Sequence, residues 1–212
     1  MKRVESLQFD RFVIYQDDEL GCFTRDPVEL VHFMRIKRND RCLDIGTGNG
    51  IIAIYAQARQ GGEFTGIDVD EAQLALARES AEVNKQDISF LNMNFINAPC
   101  LLGYGGFDVV VSNPPYFTEA CEKNAHRQLQ RHGDEELWDE LFKASFLLLK
   151  NGGRFYMCCP SELLAKAFSL LCKNRLEPKR MELLANNSSA RLALIETVKL
   201  GKISMYINVR EG

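Results

Sequence analysis

The feature that most constrains the fold is an alternation, from residue 41 onward, between short apolar segments and longer amphipathic ones. Short apolar runs bounded by turn residues predict strands, whereas apolar residues spaced three or four apart predict helices. The segment 107–112 is apolar almost throughout, as expected for a strand of a parallel sheet that is covered on both faces. The alternation therefore predicts an α/β fold with a doubly wound sheet.

The end of the chain departs from strict alternation, because three strand-like segments follow one another there. They predict that a mostly parallel sheet closes with an antiparallel hairpin. The predicted strands are 41–45, 63–68, 88–91, 107–112, 154–159, 177–184, 192–200 and 203–209, and the predicted helices are 49–60, 71–85, 134–150 and 161–173.

A lead-in of about 40 residues precedes the alternation. Within it, Phe9–Tyr15 alternates like a short strand or hairpin arm, and Pro27 followed by apolar residues predicts a helix with proline in its first turn. A chain of 212 residues fits one α/β domain. We expect a single domain in which the lead-in, residues 1–40, packs on a core formed by residues 41–212.

Composition excludes several classes of protein. No apolar run approaches the roughly 18 residues that span a membrane, and the N-terminus lacks the apolar stretch of a signal peptide, so we expect a soluble, cytoplasmic protein. The seven cysteines are scattered without a C-x-x-C pair, which indicates neither a disulfide framework nor a zinc site. Cys42 and Cys158 lie in apolar runs and are expected to be small buried hydrophobic residues.

Charge is distributed unevenly along the chain. Residues 1–149 contain 15 basic and 24 acidic residues, whereas residues 150–212 contain 11 basic and 5 acidic ones. The basic C-terminal third is compatible with a polyanionic partner such as nucleic acid, but also with the ordinary scatter of a solvated surface.

A glycine-rich loop follows the first core strand. Its residues Asp44, Gly46, Thr47, Gly48 and Gly50 form the pattern D-x-G-T-G-x-G. Glycine allows a sharp turn and lets a ligand approach the backbone, and ligands of open α/β sheets bind beyond the carboxyl ends of strands. The acidic residue at the start of the loop suits a positively charged ligand, and the pattern is not the dinucleotide fingerprint G-x-G-x-x-G.

Two further residues are predicted at the same edge of the sheet. Asp68 ends the second strand, where a carboxylate can accept hydrogen bonds from both hydroxyls of a ribose. Asn94 follows the third strand, where it can serve as a plain turn residue.

The most specific motif is Asn113, Pro114, Pro115 and Tyr116, directly after the strand 107–112. Two prolines fix the backbone and remove two donors. The Asn113 amide oxygen and a neighbouring carbonyl can then accept hydrogen bonds from an NH₂ group and aim its lone pair, which is catalysis by positioning. Tyr116 or Phe117 offers a flat face for stacking a base.

In this order and spacing, the glycine-rich loop, Asp68 and the Asn113–Tyr116 motif resemble class I amino-group methyltransferases of the N6-adenine and N5-glutamine kind. The whole chain is similar to bacterial tRNA1(Val) adenine-37 N6-methyltransferases. That similarity extends to segments outside the motifs: Phe23–Leu30, Arg131-His132, Arg175–Arg180 and Leu194–Glu196. The resemblance implies a Rossmann-like sheet of seven strands, S-adenosylmethionine as the cofactor, tRNA as the substrate and no metal.

The resemblance also implies roles for residues that the motifs leave out. Asp26 is expected near the cofactor or the target, or else as an N-cap that precedes Pro27. Phe117, Arg131, His132, Lys179 and Arg180 are expected to contact the substrate. Asn94 stands where the family has aspartate, and the resemblance implies that its side-chain oxygen holds the cofactor's adenine amine unless it is a plain turn residue. Gly133 stands where the family commonly has glutamate after the Arg-His pair.

Adenine N6-methylation in tRNA predicts a basic surface beside the Asn113 loop. The side chains expected to form it are Arg175, Lys179, Arg180, Arg191, Lys199 and Lys202. Methylation of a protein glutamine, as in release factors, is the alternative, although such enzymes usually carry a long helical N-terminal domain ahead of the glycine-rich loop. Guanine N2-methylation of ribosomal RNA and a non-enzymatic cofactor-binding protein are further alternatives, and the intact Asn113–Tyr116 motif disfavours the last.

Overall fold

The computed structural model describes residues 2–7, 12–17, 25–114, 127–186 and 189–211. The predictions for Pro115, Tyr116 and Phe117 lie outside these residues. The strands are β1 (Lys2–Leu7), β2 (Phe12–Asp17), β3 (Arg41–Ile45), β4 (Glu63–Asp68), β5 (Ser89–Asn92), β6 (Phe107–Ser112), β7 (Leu149–Pro160), β8 (Leu176–Asn186), β9 (Ser189–Lys199) and β10 (Tyr206–Glu211). The helices are α1 (Asp26–Phe33), α2 (Ile51–Gln60), α3 (Glu71–Val83), α4 (Ala98–Leu102), α5 (Arg127–Leu148) and α6 (Leu164–Lys173).

Eight of these strands form one sheet in the order β10-β8-β9-β7-β6-β3-β4-β5. The strands from β3 to β7 are parallel, and β9 runs antiparallel to both β7 and β8. This confirms the predicted fold class. The sheet has one strand more than the seven that the resemblance implies, because β10 pairs in parallel with β8 and covers an edge that would otherwise present unpaired backbone groups.

Apolar side chains on the two faces of the sheet build two cores. The cluster on one face takes its helical members from α1, α2 and α3, and the cluster on the other face takes them from α4, α5 and α6. Neighbouring residues of a strand belong to different clusters, since successive side chains point to opposite faces. Cys158 therefore packs in the first cluster and Cys159 in the second.

The boundary between α5 and β7 differs from the predicted bounds. The helix was expected over 134–150 and ends at Leu148, whereas β7 begins at Leu149 rather than Arg154. Asn151-Gly152-Gly153 was expected to end the helix but lies within the strand, where the pairing with β6 shifts register after Phe107. The sheet thus accommodates these residues as an irregularity of β7.

The lead-in contributes a separate two-stranded antiparallel sheet, β1–β2, which docks on α3. Asn84 Oδ1 accepts a hydrogen bond from the Val13 amide at 3.0 Å, and Ser80 Oγ accepts one from the Tyr15 amide at 2.9 Å. The Tyr15 carbonyl accepts a hydrogen bond from Asn49 Nδ2 at 3.2 Å, so the lead-in reaches the loop after β3. Within the described ranges, no helix is long and apolar enough to cross a membrane.

Candidate active site

The loop between β3 and α2 leaves open space above its backbone. Gly46 and Gly48 have φ angles of 70° and 54°, and a Cβ at either position would meet no other atom within 4 Å. The amides of Gly46 and Thr47 both donate to the Ile67 carbonyl, at 2.9 and 3.0 Å, which fixes the loop against β4. A ligand can therefore approach the backbone here, as the glycine pattern predicts.

Asp44 is a fully buried carboxyl group at the base of this loop. Its Oδ2 accepts a hydrogen bond from Thr47 Oγ1 at 2.7 Å, whereas its Oδ1 is buried without a hydrogen-bond partner. Burial raises the pKa of Asp44 to about 7, and the charge of Asp68 adds to the rise, while the Thr47 hydroxyl and the Ala53 amide lower it. This oxygen can therefore accept a hydrogen bond from a ligand bound at the loop.

Asp68, at the end of β4, is oriented by two backbone amides. Gly48 donates to its Oδ2 at 2.9 Å and Asp70 to its Oδ1 at 3.0 Å. Each carboxylate oxygen retains a lone pair for a further donor, such as a ribose hydroxyl. Val69, which follows it, is an apolar side chain with 67% of its surface exposed, and sequence reasoning missed it. Its position directly after the predicted ribose-binding carboxylate is the signal that could have identified it.

Asn94 lies beyond β5 and caps a short 3₁₀ turn, Phe95–Asn97. Its side-chain oxygen accepts a hydrogen bond from the Ile96 amide at 3.0 Å. This contact matches the turn interpretation of Asn94. A carbonyl oxygen can accept a second hydrogen bond, so the adenine-binding role remains a prediction.

Asn113 follows β6 at the same edge of the sheet. Ser112 Oγ donates to the Ile45 carbonyl at 2.9 Å and so ties the end of β6 to the end of β3. The Asn113 side chain is half-buried, and its Oδ1 accepts a hydrogen bond from Cys158 Sγ, 2.9 Å away. Pro114 is buried. The start of the predicted reaction loop thus lies beside the glycine-rich loop.

Asp26 is the first residue of α1, and the N-cap position belongs to Arg25. The expectation that Asp26 is itself the N-cap is therefore wrong by one residue, and the helix start shows no side-chain cap hydrogen bond. Instead, Asp26 Oδ1 lies 3.1 Å from an Arg191 guanidinium nitrogen. Arg191 precedes Leu192, which pairs with Pro160 at the carboxyl end of β7, so this ion pair lies at the same edge as the Asn113 loop.

The structure does not gather the expected basic surface beside the Asn113 loop. Strand pairing relates Arg180 to Glu196, Glu196 to Tyr156 and Tyr156 to Val111, so Arg180 lies three strands, or about 14 Å, from β6. Lys199 donates to the carbonyl of Leu149 at 2.8 Å. Leu149 is the first residue of β7, so this contact lies at the opposite end of the strands from Asn113. Of the six residues, the strand register places Arg191 at the edge where Asn113 lies.

Arg180 and Lys179 are also engaged within the protein. The Arg180 guanidinium lies 2.7 Å from Glu196 Oε2 and 3.8 Å from the centroid of the Phe33 ring. Lys179 Nζ donates to Ser204 Oγ at 3.0 Å and also to the Lys202 carbonyl. Contact of either residue with the substrate remains a prediction.

Two other expectations concern the substrate contacts of Arg131 and His132 and the binding of metal ions. Arg131 and His132 lie on α5, whose backbone is described there while their side chains are not. Among the described residues, no group of three or more His, Cys, Asp or Glu side chains could hold a metal ion.

Comparison with known proteins matches residues 36–210 to a family described as "Methyltransferase domain". The tRNA1(Val) (adenine(37)-N6)-methyltransferase of Bacteroides thetaiotaomicron is 32% identical over 168 residues, which cover 74% of this chain and 67% of the relative. A release factor glutamine methyltransferase of Lactococcus lactis is 37% identical over 102 residues, which cover 47% of this chain and 36% of the relative.

Among solved structures, a predicted O-methyltransferase from Agrobacterium tumefaciens superposes with a TM-score of 0.70 at 18% identity, covering 88% of this chain and 86% of that one. This likeness shows the fold. The family match over most of the chain, together with the long alignment to the Bacteroides enzyme, shows the family. The chain therefore belongs to the methyltransferase domain family, and within it to the family of the tRNA1(Val) (adenine(37)-N6)-methyltransferases.

Proposed function

We propose that this protein methylates N6 of an adenine in tRNA, adenine 37 of tRNA1(Val), with S-adenosylmethionine as the methyl donor. The observation that carries the proposal is the position of Asn113, whose amide oxygen lies at the edge of the sheet that also presents the open glycine-rich loop and Asp68. The Bacteroides thetaiotaomicron relative, which aligns with this chain over 67% of its own length, is named for the same activity. A tRNA substrate goes with a cytoplasmic enzyme.

The residues at this edge fit the proposed cofactor. The buried, unpartnered Oδ1 of Asp44 would receive a donor from the cofactor's cationic amino acid end, and the open backbone at Gly46 and Gly48 leaves room for it. The oriented carboxylate of Asp68 would accept the ribose hydroxyls, with Val69 against the adenine. When bound, S-adenosylmethionine supplies a methyl group whose bond to the sulfonium sulfur breaks as the new nitrogen–carbon bond forms.

Asn113 would act on the target amine. An exocyclic amine of adenine is a weak nucleophile, because its lone pair is delocalised into the ring. Asn113 Oδ1 and the carbonyl of the following proline accept its two N–H groups and so direct the lone pair toward the methyl group. The methylated nitrogen would carry a positive charge and release one of these protons to solvent. Tyr116, Phe117, Arg131 and His132 follow in the chain and are proposed to hold the base and its neighbours.

Glutamine methylation would use the same acceptors, since a glutamine side chain also ends in a planar NH₂ group. The relatives with that name match less than half of this chain, which favours the tRNA substrate. The decisive experiment offers labelled S-adenosylmethionine with total tRNA and, in parallel, with a release factor. Label that digests to N6-methyladenosine at position 37 of tRNA1(Val) supports the proposal. Label found in the protein alone overturns it.

A further inference from the structure

A thiol from the neighbouring strand meets the amide oxygen of Asn113. Cys158 Sγ lies 2.9 Å from Asn113 Oδ1 and donates a hydrogen bond to it. Pairing of Ser112 with Met157 brings the two residues level, because Asn113 and Cys158 each come next along parallel strands. Cys158 is fully buried in the core cluster that also contains Tyr156 and Leu194. The sheet itself therefore holds this contact in place.

The contact determines which way the amide faces. The two ends of an asparagine amide have nearly the same shape, but the oxygen only accepts hydrogen bonds and the nitrogen only donates them. An amine substrate needs the oxygen, because a flipped amide would set N–H against N–H. A donor fixed on Oδ1 favours the orientation in which the oxygen faces it, and an amide oxygen can accept two hydrogen bonds.

We propose that Cys158 is a positioning residue for methyl transfer, whose thiol holds the Asn113 amide with its oxygen ready to accept the target N–H. The proposal rests on the proposed function, because it takes amine activation by Asn113 as given. The thiol acts only as a hydrogen-bond donor and forms no covalent bond in the reaction. This role goes beyond the small buried hydrophobe that the sequence predicts for Cys158, and that role alone would not require a polar partner.

The adjacent residue, Cys159, provides a matched control. It is as fully buried as Cys158 but faces the other core cluster, and its Sγ donates to the Pro160 carbonyl at 3.1 Å. Cys158→Ala and Cys159→Ala remove the same atoms from cores of similar burial. They should therefore cost similar stability, whereas the alanine at position 158 alone removes a donor from Asn113.

The kinetic test measures kcat, KM for the acceptor and Kd for S-adenosylmethionine in Cys158→Ala, Cys158→Ser and both corresponding variants of Cys159. Loss of one hydrogen bond predicts a fall in kcat of about fivefold to tenfold for Cys158→Ala, with Kd for the cofactor unchanged within twofold. Serine restores a donor and should recover most of the rate. Equal kcat in the two alanine variants would overturn the proposal, and so would a serine variant as slow as Cys158→Ala.

A second readout needs neither catalysis nor cofactor. The infrared S–H stretching band that disappears in Cys158→Ala is assigned to Cys158, and it should move to higher frequency in Asn113→Ala, where the acceptor is gone. A band that does not move overturns the proposal. The acceptor in the kinetic test is whichever of tRNA or release factor the wild-type enzyme methylates. A wild-type enzyme inactive on tRNA thus contradicts the proposed function, while the two cysteine comparisons still decide the role of Cys158.

Discussion

Asp44 and Glu196 are two carboxyl groups on the same face of the sheet, and their surroundings differ. Glu196 Oε2 accepts hydrogen bonds from Arg180 Nε and Nη2, at 3.0 and 2.7 Å, so its charge is neutralised within the protein. Asp44 is more deeply buried and has one oxygen without a partner. Glu196 is satisfied within the fold, whereas Asp44 Oδ1 can still accept a hydrogen bond, which is the role that the proposed function gives it.

The same contrast, between groups paired within the protein and groups that can bind a ligand, distinguishes the amino ends of the parallel strands from their carboxyl ends. Asp40 and Arg154 form an ion pair at 2.5 Å near the amino end of β3, where no ligand is proposed. At the carboxyl edge, Asp68 and Asn113 have their geometry fixed by hydrogen bonds from the protein, and carboxylate and amide oxygens can each accept more than one hydrogen bond. Substitutions at the carboxyl edge should therefore affect ligand binding and catalysis, and substitutions of the paired groups should affect stability.

The largest effect is expected at Asn113. Asn113→Ala should lower the rate of methyl transfer by about a thousandfold or more, because the acceptor that orients the amine is lost. Affinity for S-adenosylmethionine should stay within a few fold, since the proposed cofactor contacts lie on β3, on the loop that follows it and on β4. Rates on tRNA and calorimetric titration of the cofactor measure the two quantities. A comparable loss of cofactor affinity would show that Asn113 belongs to the cofactor site and not to the reaction loop.

The second-largest effect is expected for the ion pair between Arg180 and Glu196, which stabilises the fold. Arg180→Ala leaves Glu196 with its charge uncompensated, and the side chains of both residues are less than 15% exposed. We expect the free energy of unfolding to fall by about 3 kcal/mol, the scale of breaking a buried ion pair. Denaturant unfolding measures this loss, with Arg191→Ala, whose guanidinium is about half exposed, as the milder control. If Arg180→Ala weakened tRNA binding and left stability unchanged, Arg180 would have the substrate role that the resemblance implies.

Asp68→Ala should have an intermediate effect on the cofactor. Loss of hydrogen bonds to a charged acceptor predicts that binding of S-adenosylmethionine weakens by about 1.5–3 kcal/mol. Stability should change little, because the Gly48 and Asp70 amides that it releases lie at an open edge where water can replace it. Asp70→Ala, which removes the N-cap of α3, is the control, with a loss of helix stability but not of affinity. Equal affinities in the wild type and Asp68→Ala would exclude Asp68 from the cofactor site.

The sequence predicts the groups at the carboxyl ends of the strands much better than it predicts the ion pairs that stabilise the fold. Asp44, Asp68 and Asn113 each lie at or next to the carboxyl end of a strand, and the carboxyl ends of parallel strands share one edge, so local patterns suffice to bring them together. The partners of Arg180 depend on which strand pairs with β8, and on the helix that packs above it. Neither can be read from the residues near Arg180, and its charge alone suggested a surface that the structure does not form.

The contact between Cys158 and Asn113 could not be predicted for the same reason. The two residues are 45 positions apart, and their strands are brought level by a register that includes an irregularity between Phe107 and Val109. A cysteine in an apolar run fits a buried strand without further explanation. The polar partner becomes visible only when the neighbouring strand is in place.

The smallest effect is expected in the pH dependence of stability that Asp44 causes. The pKa of Asp44 is raised from 3.8 to about 7 by burial, so the folded protein without cofactor favours the protonated form. An acid with a raised pKa stabilises the fold fully below about pH 4, and this stabilisation is lost as the pH rises to 7. Between pH 6 and 7, Asp44 should lower the free energy of unfolding by about 1 kcal/mol. Asp44→Asn should remove this contribution from unfolding curves measured without cofactor.

Cofactor binding should show the opposite dependence on pH. A cationic ligand needs the ionised carboxylate, so affinity for S-adenosylmethionine should fall as the pH drops below 7, by up to tenfold per pH unit. Glu196→Gln, which leaves Asp44 unchanged, should keep this dependence. The pH dependence of the free energy of unfolding and the pH dependence of cofactor affinity together distinguish a carboxyl group that binds a ligand from one that stabilises the fold. If affinity in the wild type were independent of pH between 5 and 7, the cofactor's cation would not be bound by Asp44.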